Sequence, residues 1–355
     1  MLNERISSIR RYLDGYGIEA IIFLGLANIR YLAGFTGSDG ALVLSREKGW
    51  FLTDSRYTTQ ASLEVIGLEV VEYRVKKEGL ASLLTAESMR KVGFEAEHTS
   101  VSFAQALGET LPGTELLPVG IELDDIRLVK GANELLLLEK SAVIASEALL
   151  GIKELIRPGV REREIALELE FAMKRGGAEE KAFDFIVASG VRGALPHGKA
   201  SDKLIESGDL VTIDFGAVYC GYHSDETVTV AVAKTDSKQR EIYSIVKDAH
   251  DKALEAVKPG ISLKELDGIA RGFIAEKGYS DYFGHGLGHG VGLEVHERPV
   301  VSPRSEQTAE EGMVFTIEPG IYIPDWGGVR IEDTVVVTND GFRLLTRVPK
   351  ALMVL

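Results

Sequence analysis

Acidic residues inside apolar, strand-like segments are the feature that most constrains this chain. The run Leu210–Gly216 (LVTIDFG) is apolar except for Thr212 and Asp214. A carboxylate in a strand that is buried on both faces is costly unless it is paired, hydrogen-bonded or bound to a metal. Asp225 follows eleven positions later, at the start of a second strand predicted over Thr227–Val232. If these strands pair as a hairpin, both carboxylates point into the same space.

A second segment repeats this design with glutamates. Met313–Glu318 (MVFTIE) is an apolar strand ending in Glu318, and the chain returns through Val329–Val337 (VRIEDTVVV), which carries Glu332. We therefore predict two carboxylate hairpins that face each other. Four carboxylates in apolar strands cannot all be charged in a dry core, so either two are protonated or cations hold them.

Histidines are concentrated in one glycine-rich stretch. Gly284–Glu297 (GHGLGHGVGLEVHE) contains five glycines together with His285, His289 and His296, out of seven histidines in the chain. Clustered imidazoles act as metal ligands or proton carriers, and glycines allow close backbone approach. A solvated glycine-rich loop is the alternative, but the nearby carboxylates favour a site. His197 lies in a loop after a predicted strand, where catalytic groups often lie, although a lone loop histidine is more often plain surface.

This set of side chains predicts a particular metal chemistry. Four carboxylates and one imidazole can bind two divalent ions, with two carboxylates bridging. Mostly oxygen ligands suit Mn²⁺, Co²⁺, Fe²⁺ or Zn²⁺, and the one histidine makes Mg²⁺ or Ca²⁺ less apt. A water between two ions loses a proton near neutral pH and becomes a nucleophile. Rival motifs are absent, because Val300 breaks HExxH and the glycine spacing fits neither GxGxxG nor a P-loop.

Length and local pattern predict two domains. A chain of 355 residues exceeds one ordinary core. Residues 1–125 alternate helical and strand patterns, which indicates an α/β layer architecture. Within them, Asn28–Gly40 and Asp54–Tyr57 are predicted to be polar turns or loops. The pattern changes near Gly120–Lys130, so we predict the second domain over residues 130–355, starting with a long helix at Ala132–Leu155.

Charge and cysteine content narrow the partners and the compartment. The net charge of −14 argues against nucleic acid or an anionic membrane surface as a partner. The single cysteine, Cys220, excludes an internal disulfide and a cysteine-based zinc site. The N-terminus does not read as a signal peptide, and no apolar run approaches the ~20 residues of a membrane span. We therefore expect a cytoplasmic protein.

Several motifs together resemble one family. Residues 130–355 are similar to the pita-bread metallopeptidases, which include methionine aminopeptidase, Xaa-Pro aminopeptidase and Xaa-Pro dipeptidase (prolidase). The matching pieces are DFG at Asp214–Gly216, HSDET at His223–Thr227, GHGVGLEVHE at Gly288–Glu297, TIEPGIYI at Thr316–Ile323 and VRIEDTV at Val329–Val335. Residues 1–125 resemble the creatinase-type domain of the Xaa-Pro branch. The resemblance implies an α+β protein with a C-terminal pita-bread fold and an N-terminal α/β creatinase-like domain.

The resemblance also implies a role for each site residue. Asp214 would chelate one ion, Asp225 and Glu332 would bridge both, and His289 with Glu318 would complete the second. Glu318 would also be catalytic, as the proton acceptor. Four matches remain. His197 and His296 would be catalytic, placed at the scissile carbonyl. His285 and Arg330 would lie on the substrate side, His285 lining the pocket and Arg330 beside Glu332, where it would also orient a ligand.

The implied activity is hydrolysis of the Xaa-Pro bond, at the N-terminus of peptides or in dipeptides, through attack of a metal-bridging hydroxide. The expected partners are small peptides with proline at the second position, and the resemblance implies a homodimer. The alternatives are a creatinase-like, metal-independent C–N hydrolase and a non-catalytic peptide-binding module. Methionine aminopeptidase typically lacks the N-terminal domain. Val300 stands where a strict dipeptidase often has a basic group, so the choice between aminopeptidase P and prolidase stays open.

Overall fold

The chain divides into two structural units, Met1–Arg127 and Leu128–Leu355. The computed structural model describes residues 2–355. Among them, no helix is long and apolar enough to cross a membrane.

Within residues 2–127, the first unit has a six-stranded sheet and five α-helices. Its elements are α1 (Leu2–Tyr16), β1 (Ala20–Phe23), α2 (Leu26–Ala33), β2 (Ala41–Ser45), β3 (Gly49–Thr53), α3 (Thr58–Glu64), β4 (Glu69–Glu72), α4 (Lys76–Ala86), β5 (Lys91–Glu95), α5 (Val101–Thr110), β6 (Glu115–Val119) and a 3₁₀ helix at Ile121–Arg127. The strand order is β4-β3-β2-β1-β5-β6. Strand β1 lies inside the sheet and all of its residues are buried, which explains its continuous apolar sequence.

The predicted loop at Asn28–Gly40 is wrong over its first part, because Leu26–Ala33 forms helix α2. Asn28 looked like a turn residue, but its side chain is buried and its amide donates to Glu95 Oε1 and Asp124 Oδ1 at 2.7 Å each. A buried asparagine needs such partners, and they lie far away in the sequence. The predicted turn at Asp54–Tyr57 is confirmed.

The second unit contains four α-helices and thirteen strands. Its helices are α6 (Ala132–Ile152), α7 (Glu162–Arg175), α8 (Ser237–Ala256) and α9 (Leu263–Glu276), with 3₁₀ helices at Lys153–Leu155, Gly190–Ala194 and Ser280–Tyr282. Its strands are β7 (Glu180–Lys181), β8 (Ile186–Ser189), β9 (Leu210–Phe215), β10 (Ala217–Tyr219), β11 (Tyr222–His223), β12 (Glu226–Ala231), β13 (Gly288–Gly290), β14 (Glu297–Val301), β15 (Val314–Ile317), β16 (Gly320–Ile323), β17 (Gly327–Arg330), β18 (Asp333–Val337) and β19 (Phe342–Leu344).

Two sheets of this unit carry the predicted acids. One has the order β12-β9-β8 and the other β14-β13-β15-β18-β19. Helices α6 and α7 pack against the first sheet in one apolar core, and α8 and α9 pack against the second in another. Helix α8 buries Ile242, Ile245, Ala249 and Ala253, the stripe that its sequence predicts. The predicted cap Ser262 precedes α9, but its side chain makes no capping hydrogen bond.

The strands that carry the acids pair as predicted, but the hairpins are not continuous. Strands β9 and β12 pair antiparallel with Thr227 opposite Asp214, and β15 pairs with β18 with Asp333 opposite Ile317. Between the partners, β10–β11 and β16–β17 belong to two other sheets. At Gly216 a Cβ atom would lie 1.8 Å from the carbonyl oxygen of Ser224, so only glycine lets the chain fold back this tightly. Pairing thus puts both acids of each pair near one end of their sheet.

Candidate metal centre

One cavity of about 830 Å³ in the second unit collects the predicted site residues. All nine line its wall: Asp214, Asp225, His289, Glu318, Glu332, His197, His285, His296 and Arg330. Residues up to 135 positions apart in the sequence are therefore brought together (332 minus 197). The roles assigned to them individually stay predictions.

Strand ends position the acids. Asp214 lies in β9, Asp225 directly precedes β12, and Glu318 directly follows β15. The two sheets also contact each other at the site, because the Glu332 amide donates to Thr227 O at 3.1 Å and Thr334 Oγ1 donates to Asp225 O at 2.7 Å. These two hydrogen bonds join the segments of the two sheets that carry Asp225 and Glu332.

His289 lies among the carboxylates with its Nε2 atom turned towards them. Nε2 is 3.5 Å from Asp225 Oδ2 and 3.4 Å from Glu318 Oε1. One ligand atom each of Asp225, His289 and Glu332 lies within 4.8 Å of the other two. His289 Nδ1 is 3.0 Å from the carbonyl oxygen of Gly290, which can only accept, so Nδ1 carries the proton. The lone pair on Nε2 is then free for a metal ion.

Burial and mutual repulsion disfavour the charged acids when no cation is bound. Burial raises the pKa of Asp225 well above its usual value, and the charges of Glu332, Asp214 and Glu318 add to this. Burial likewise raises the pKa of Glu332, followed by the charges of Glu318 and Asp214. Burial raises the pKa of Glu318 to about 7. Raised pKa values of this kind are expected for carboxylates whose charge is meant to be neutralised by bound cations.

Two orphan oxygen atoms show that a divalent metal fits this site. Asp214 Oδ1 and Glu332 Oε1 are buried and have no hydrogen-bond partner within residues 2–355. Among those residues, Arg330 is the one arginine or lysine that forms an ion pair with any of the four acids, through Nη2 and Asp214 Oδ2 at 2.6 Å. Buried acceptors rarely stay unsatisfied. Four acids, two of which have a free oxygen, and one free imidazole nitrogen form a donor set suited to divalent metal ions.

The remaining histidines lie on the cavity wall. Partial burial, and then the neighbouring ring of His289, lowers the pKa of His296 to about 4, and the two ring centroids are 4.2 Å apart. Burial also lowers the pKa of His285. Nδ1 of His285 donates to Gly286 O at 2.8 Å, and its Nε2 accepts from Tyr322 at 2.9 Å. Both imidazoles are therefore neutral at pH 7. His197 is exposed at the cavity wall.

Arg330 is held by the protein rather than left open to a substrate. It is 3% exposed, and Nη1 donates to Tyr322 Oη at 2.9 Å and to Pro196 O at 3.1 Å. Burial works against its charge, but Tyr322, Asp214 and Glu318 outweigh that effect and raise its pKa. The geometry thus favours a role in orienting Asp214 over direct substrate contact.

Sequence reasoning missed two residues that orient this site. Burial raises the pKa of Tyr322 to about 12, and its hydroxyl links Arg330 to His285. Thr227 Oγ1 donates to Glu332 Oε2 at 2.6 Å and accepts from Arg330 Nε at 3.2 Å. The one signal in the sequence for Thr227 is its place in HSDET, at the start of a predicted buried strand, where a hydroxyl needs a hydrogen-bond partner. This signal is weak because it does not identify the partner.

The glycines of β13 serve close packing as well as the cavity wall. A Cβ atom at Gly288 would lie 1.9 Å from the carbonyl oxygen of Thr316, and one at Gly290 would lie 2.2 Å from that of Arg298. Gly288 lines the cavity, whereas Gly290 does not. The alternating glycines therefore let β13 carry His289 between two tightly packed neighbours.

This fold and this acid-rich centre define a metal-dependent enzyme with an additional α/β domain. The profile of metallopeptidase family M24 matches residues 137–339, and that of the creatinase/prolidase N-terminal domain matches residues 5–129. The chain therefore belongs to metallopeptidase family M24 and is a peptidase. The predicted α+β fold, a pita-bread domain preceded by a creatinase-like domain, is confirmed.

Relatives match the chain over at least 99% of its length. A Xaa-Pro dipeptidase from Bacillus anthracis is 43% identical, with a TM-score of 0.98 and coverage of 100% of both chains. An X-Pro aminopeptidase from Thermotoga maritima is 38% identical, with a TM-score of 0.91 and coverage of 99% of each. An uncharacterized peptidase of Bacillus subtilis is 45% identical over 99% of this chain and 100% of its own length.

Proposed function

We propose that this chain hydrolyses the Xaa-Pro bond of small peptides with two divalent metal ions. The observation that carries the proposal is the group of four acids, of which Asp225 and Glu332 are buried and Asp214 and Glu318 partly buried, with one arginine and a free imidazole nitrogen around one cavity. A dipeptidase and an aminopeptidase of this specificity are both similar to the chain over at least 99% of its length. The catalytic domain in this proposal is residues 130–355, preceded by the creatinase-like domain of residues 1–125.

The ligands in this proposal are those that the sequence predicts. Asp214 would hold one ion, His289 and Glu318 would hold the other, and Asp225 and Glu332 would be shared by both. When bound, the ions supply Lewis acidity that polarises a carbonyl and lowers the pKa of water, so that hydroxide is available near neutral pH. We propose Mn²⁺ or Co²⁺ first and Zn²⁺ or Fe²⁺ as alternatives.

The protein's own side chains handle protons and orientation. His296 is neutral, so one ring nitrogen carries a proton that it can donate to the scissile carbonyl oxygen, with His197 on the same wall. Glu318 accepts the proton of the attacking water and delivers it to the proline nitrogen, which leaves only when protonated. Because an Xaa-Pro bond has no N–H, the cavity recognises the ring by shape rather than by a hydrogen bond.

A metal-reconstitution experiment tests this function. Protein stripped with EDTA should be inactive, and Mn²⁺ or Co²⁺ should restore hydrolysis of Gly-Pro with about two ions bound per chain. Gly-Ala serves as the control substrate and should react roughly 10- to 200-fold more slowly in kcat/KM, the range that pocket shape supplies. Activity that survives metal removal would favour a creatinase-like hydrolase, and tight peptide binding without turnover would favour a binding module.

A lysine at the cavity wall bears on the choice between dipeptides and longer peptides. Among the described residues that line the cavity, two are lysine or arginine, namely Lys199 and Arg330. Arg330 is buried and engaged in contacts with the protein. Lys199 Nζ is 2.6 Å from Asp184 Oδ2, and Lys181 Nζ is 2.9 Å from Asp184 Oδ1, so the trio carries a net positive charge. We propose that Lys199 attracts the carboxylate of a dipeptide, a role that Val300 cannot fill.

Lys199→Ala should raise KM for Gly-Pro by about 2- to 5-fold, the effect of an exposed charge pair. Its KM for Gly-Pro amide, which lacks the carboxylate, should not change. Lys181→Ala is the matched control, because Lys181 contacts Asp184 but does not line the cavity. Equal changes in KM for both substrates would exclude this role.

Two further expectations stay predictions. The predicted homodimer is tested by measuring the mass of the purified protein by sedimentation. A monomer mass would exclude the homodimer. The cytoplasmic location is tested by fractionating cells that produce the protein.

A further inference from the structure

Two acids that face away from the cavity follow directly after two that face it. Glu226 follows Asp225, and Asp333 follows Glu332. Successive side chains of an extended chain point to opposite sides. Accordingly Glu226 and Asp333 do not line the cavity and are 0% and 3% exposed.

One lysine holds both of these acids. Lys350 Nζ lies 2.5 Å from Glu226 Oε1 and 3.3 Å from Asp333 Oδ1, and Lys350 is 9% exposed. Glu226 begins β12 of the three-stranded sheet, and Asp333 begins β18 of the five-stranded sheet. The ammonium group therefore bridges the two sheets that carry the metal centre. The acids that it contacts are each one residue away in sequence from Asp225 or Glu332.

Lys350 belongs to a C-terminal strap, Leu345–Leu355, that runs from one sheet to the other. At β18 the Leu345 amide donates to Thr334 O at 2.9 Å. At β12 the Leu355 amide donates to Ala231 O at 2.9 Å, and Ala233 donates back to Leu355 O at 2.6 Å. The strap is thus fixed at both ends, with Lys350 between them.

Every carboxylate oxygen of the two held acids has further partners. Glu226 also accepts from the Val348 amide at 2.9 Å and from Ser146 Oγ at 2.5 Å. Asp333 accepts from Thr346 Oγ1 at 2.5 Å and has His250 Nε2 3.2 Å from its other oxygen. These contacts fix both acids in one arrangement, which in turn limits the backbone that carries Asp225 and Glu332.

We propose that Lys350 is a positioning residue of the metal centre. By holding Glu226 and Asp333 it sets the separation of Asp225 and Glu332, the two acids proposed to bridge the ions. Bridging requires both carboxylates to reach the same two ions. Loosening the junction between the sheets should therefore weaken metal binding before it unfolds the protein. This inference rests on the proposed function.

The test is a charge-conserving double variant, Lys350→Met with Glu226→Gln. It removes the bridge and keeps the net charge, so electrostatic attraction of cations is not itself altered. We expect the affinity of the metal-free protein for Mn²⁺, measured by titration calorimetry, to fall about 10- to 100-fold. The electron paramagnetic resonance spectrum of the Mn²⁺-loaded protein should change from that of a coupled pair to that of separate ions.

The control variant, Lys174→Met with Glu170→Gln, removes an ion pair of 3.0 Å on helix α7, with its lysine about half exposed, and should leave both readouts unchanged. Thr346→Val removes one of the two contacts between the strap and Asp333 without a charge change, while Lys350 keeps the other. It should weaken Mn²⁺ binding about 3- to 5-fold and covers the case in which the double variant does not fold. Unchanged affinity and coupling in a folded double variant, or unchanged affinity in Thr346→Val, would overturn the inference. A wild-type protein that binds no Mn²⁺ would overturn the proposed function itself.

Discussion

Replacing Asp225 with asparagine should lower kcat/KM for Gly-Pro by at least about a thousandfold while the protein stays folded. Asp225 is 5% exposed, and its Oδ2 lies 3.5 Å from His289 Nε2, at the centre of the donor set. Asparagine has nearly the same shape but no negative charge to hold two cations. Metal catalysis supplies several kcal/mol of transition-state stabilisation, and each ~1.4 kcal/mol is a factor of ten in rate.

The fold should tolerate this change because the metal-free site already disfavours the charged acid. Burial and the charges of Glu332, Asp214 and Glu318 raise the pKa of Asp225, so a neutral amide resembles the protonated form. The melting temperature in EDTA should therefore equal or exceed that of the wild type. Glu332→Gln should behave in the same way, and Asp281→Asn, at an exposed acid of the same unit, should keep full activity. Full activity of either site variant with Mn²⁺ would contradict the assignment of bridging ligands.

The acids could be predicted from sequence because they break a strong local pattern. Asp214 and Glu318 stand in or at the end of apolar strands whose burial is obvious, so a compensating partner had to exist. Local patterns could not show where the chain leaves a sheet. The close contact between Gly216 and Ser224, which sends β10 and β11 into another sheet, depends on tertiary packing and leaves no periodicity to detect.

Residues whose role depends on a distant partner could not be predicted. Asn28 reads as a turn residue until Glu95, 67 positions away, accepts its amide hydrogen inside the protein. Glu226 is part of the HSDET motif, yet its partner Lys350 lies 124 positions further along. Tyr322 was passed over for the same reason, since its contact with His285 spans 37 positions. A single sequence identifies a group that needs a partner, but not the partner.

Removing the metal ions should make stability fall as the pH rises from 5 to 7.5. Burial raises the pKa of Glu318 to about 7 in the folded metal-free protein, against a usual value of 4.5, and the pKa values of Asp225 and Glu332 are also raised. The folded state therefore binds more protons than the unfolded chain between these values. The stability due to these protonated carboxyls is fully present below about pH 4.5 and is lost as the pH rises through about 7.

The size of this effect is large enough to measure by thermal unfolding. For Glu318 alone, a pKa moved from 4.5 to about 7 corresponds to about 3 kcal/mol at the upper end of the pH range. For a unit of about 200 residues, each kcal/mol shifts the melting temperature by about 2–4 °C, so a decrease of roughly 6–12 °C is expected. Other acids with shifted pKa values, such as Glu226, titrate in both forms of the protein. The useful quantity is therefore the difference in melting temperature between Mn²⁺-loaded and EDTA-treated protein at each pH.

That difference should widen from pH 5 to pH 7.5, because bound cations neutralise the same carboxylates that otherwise repel one another. Glu318→Gln removes one titrating group, so its EDTA-treated form should lose less stability over the same range. Calorimetric scans at four pH values, each with Mn²⁺ and with EDTA, are sufficient. A difference that stays constant or narrows as the pH rises would mean that the four acids are stabilised by the protein alone. Their assignment to a metal centre would then be wrong, since their burial would need no cation.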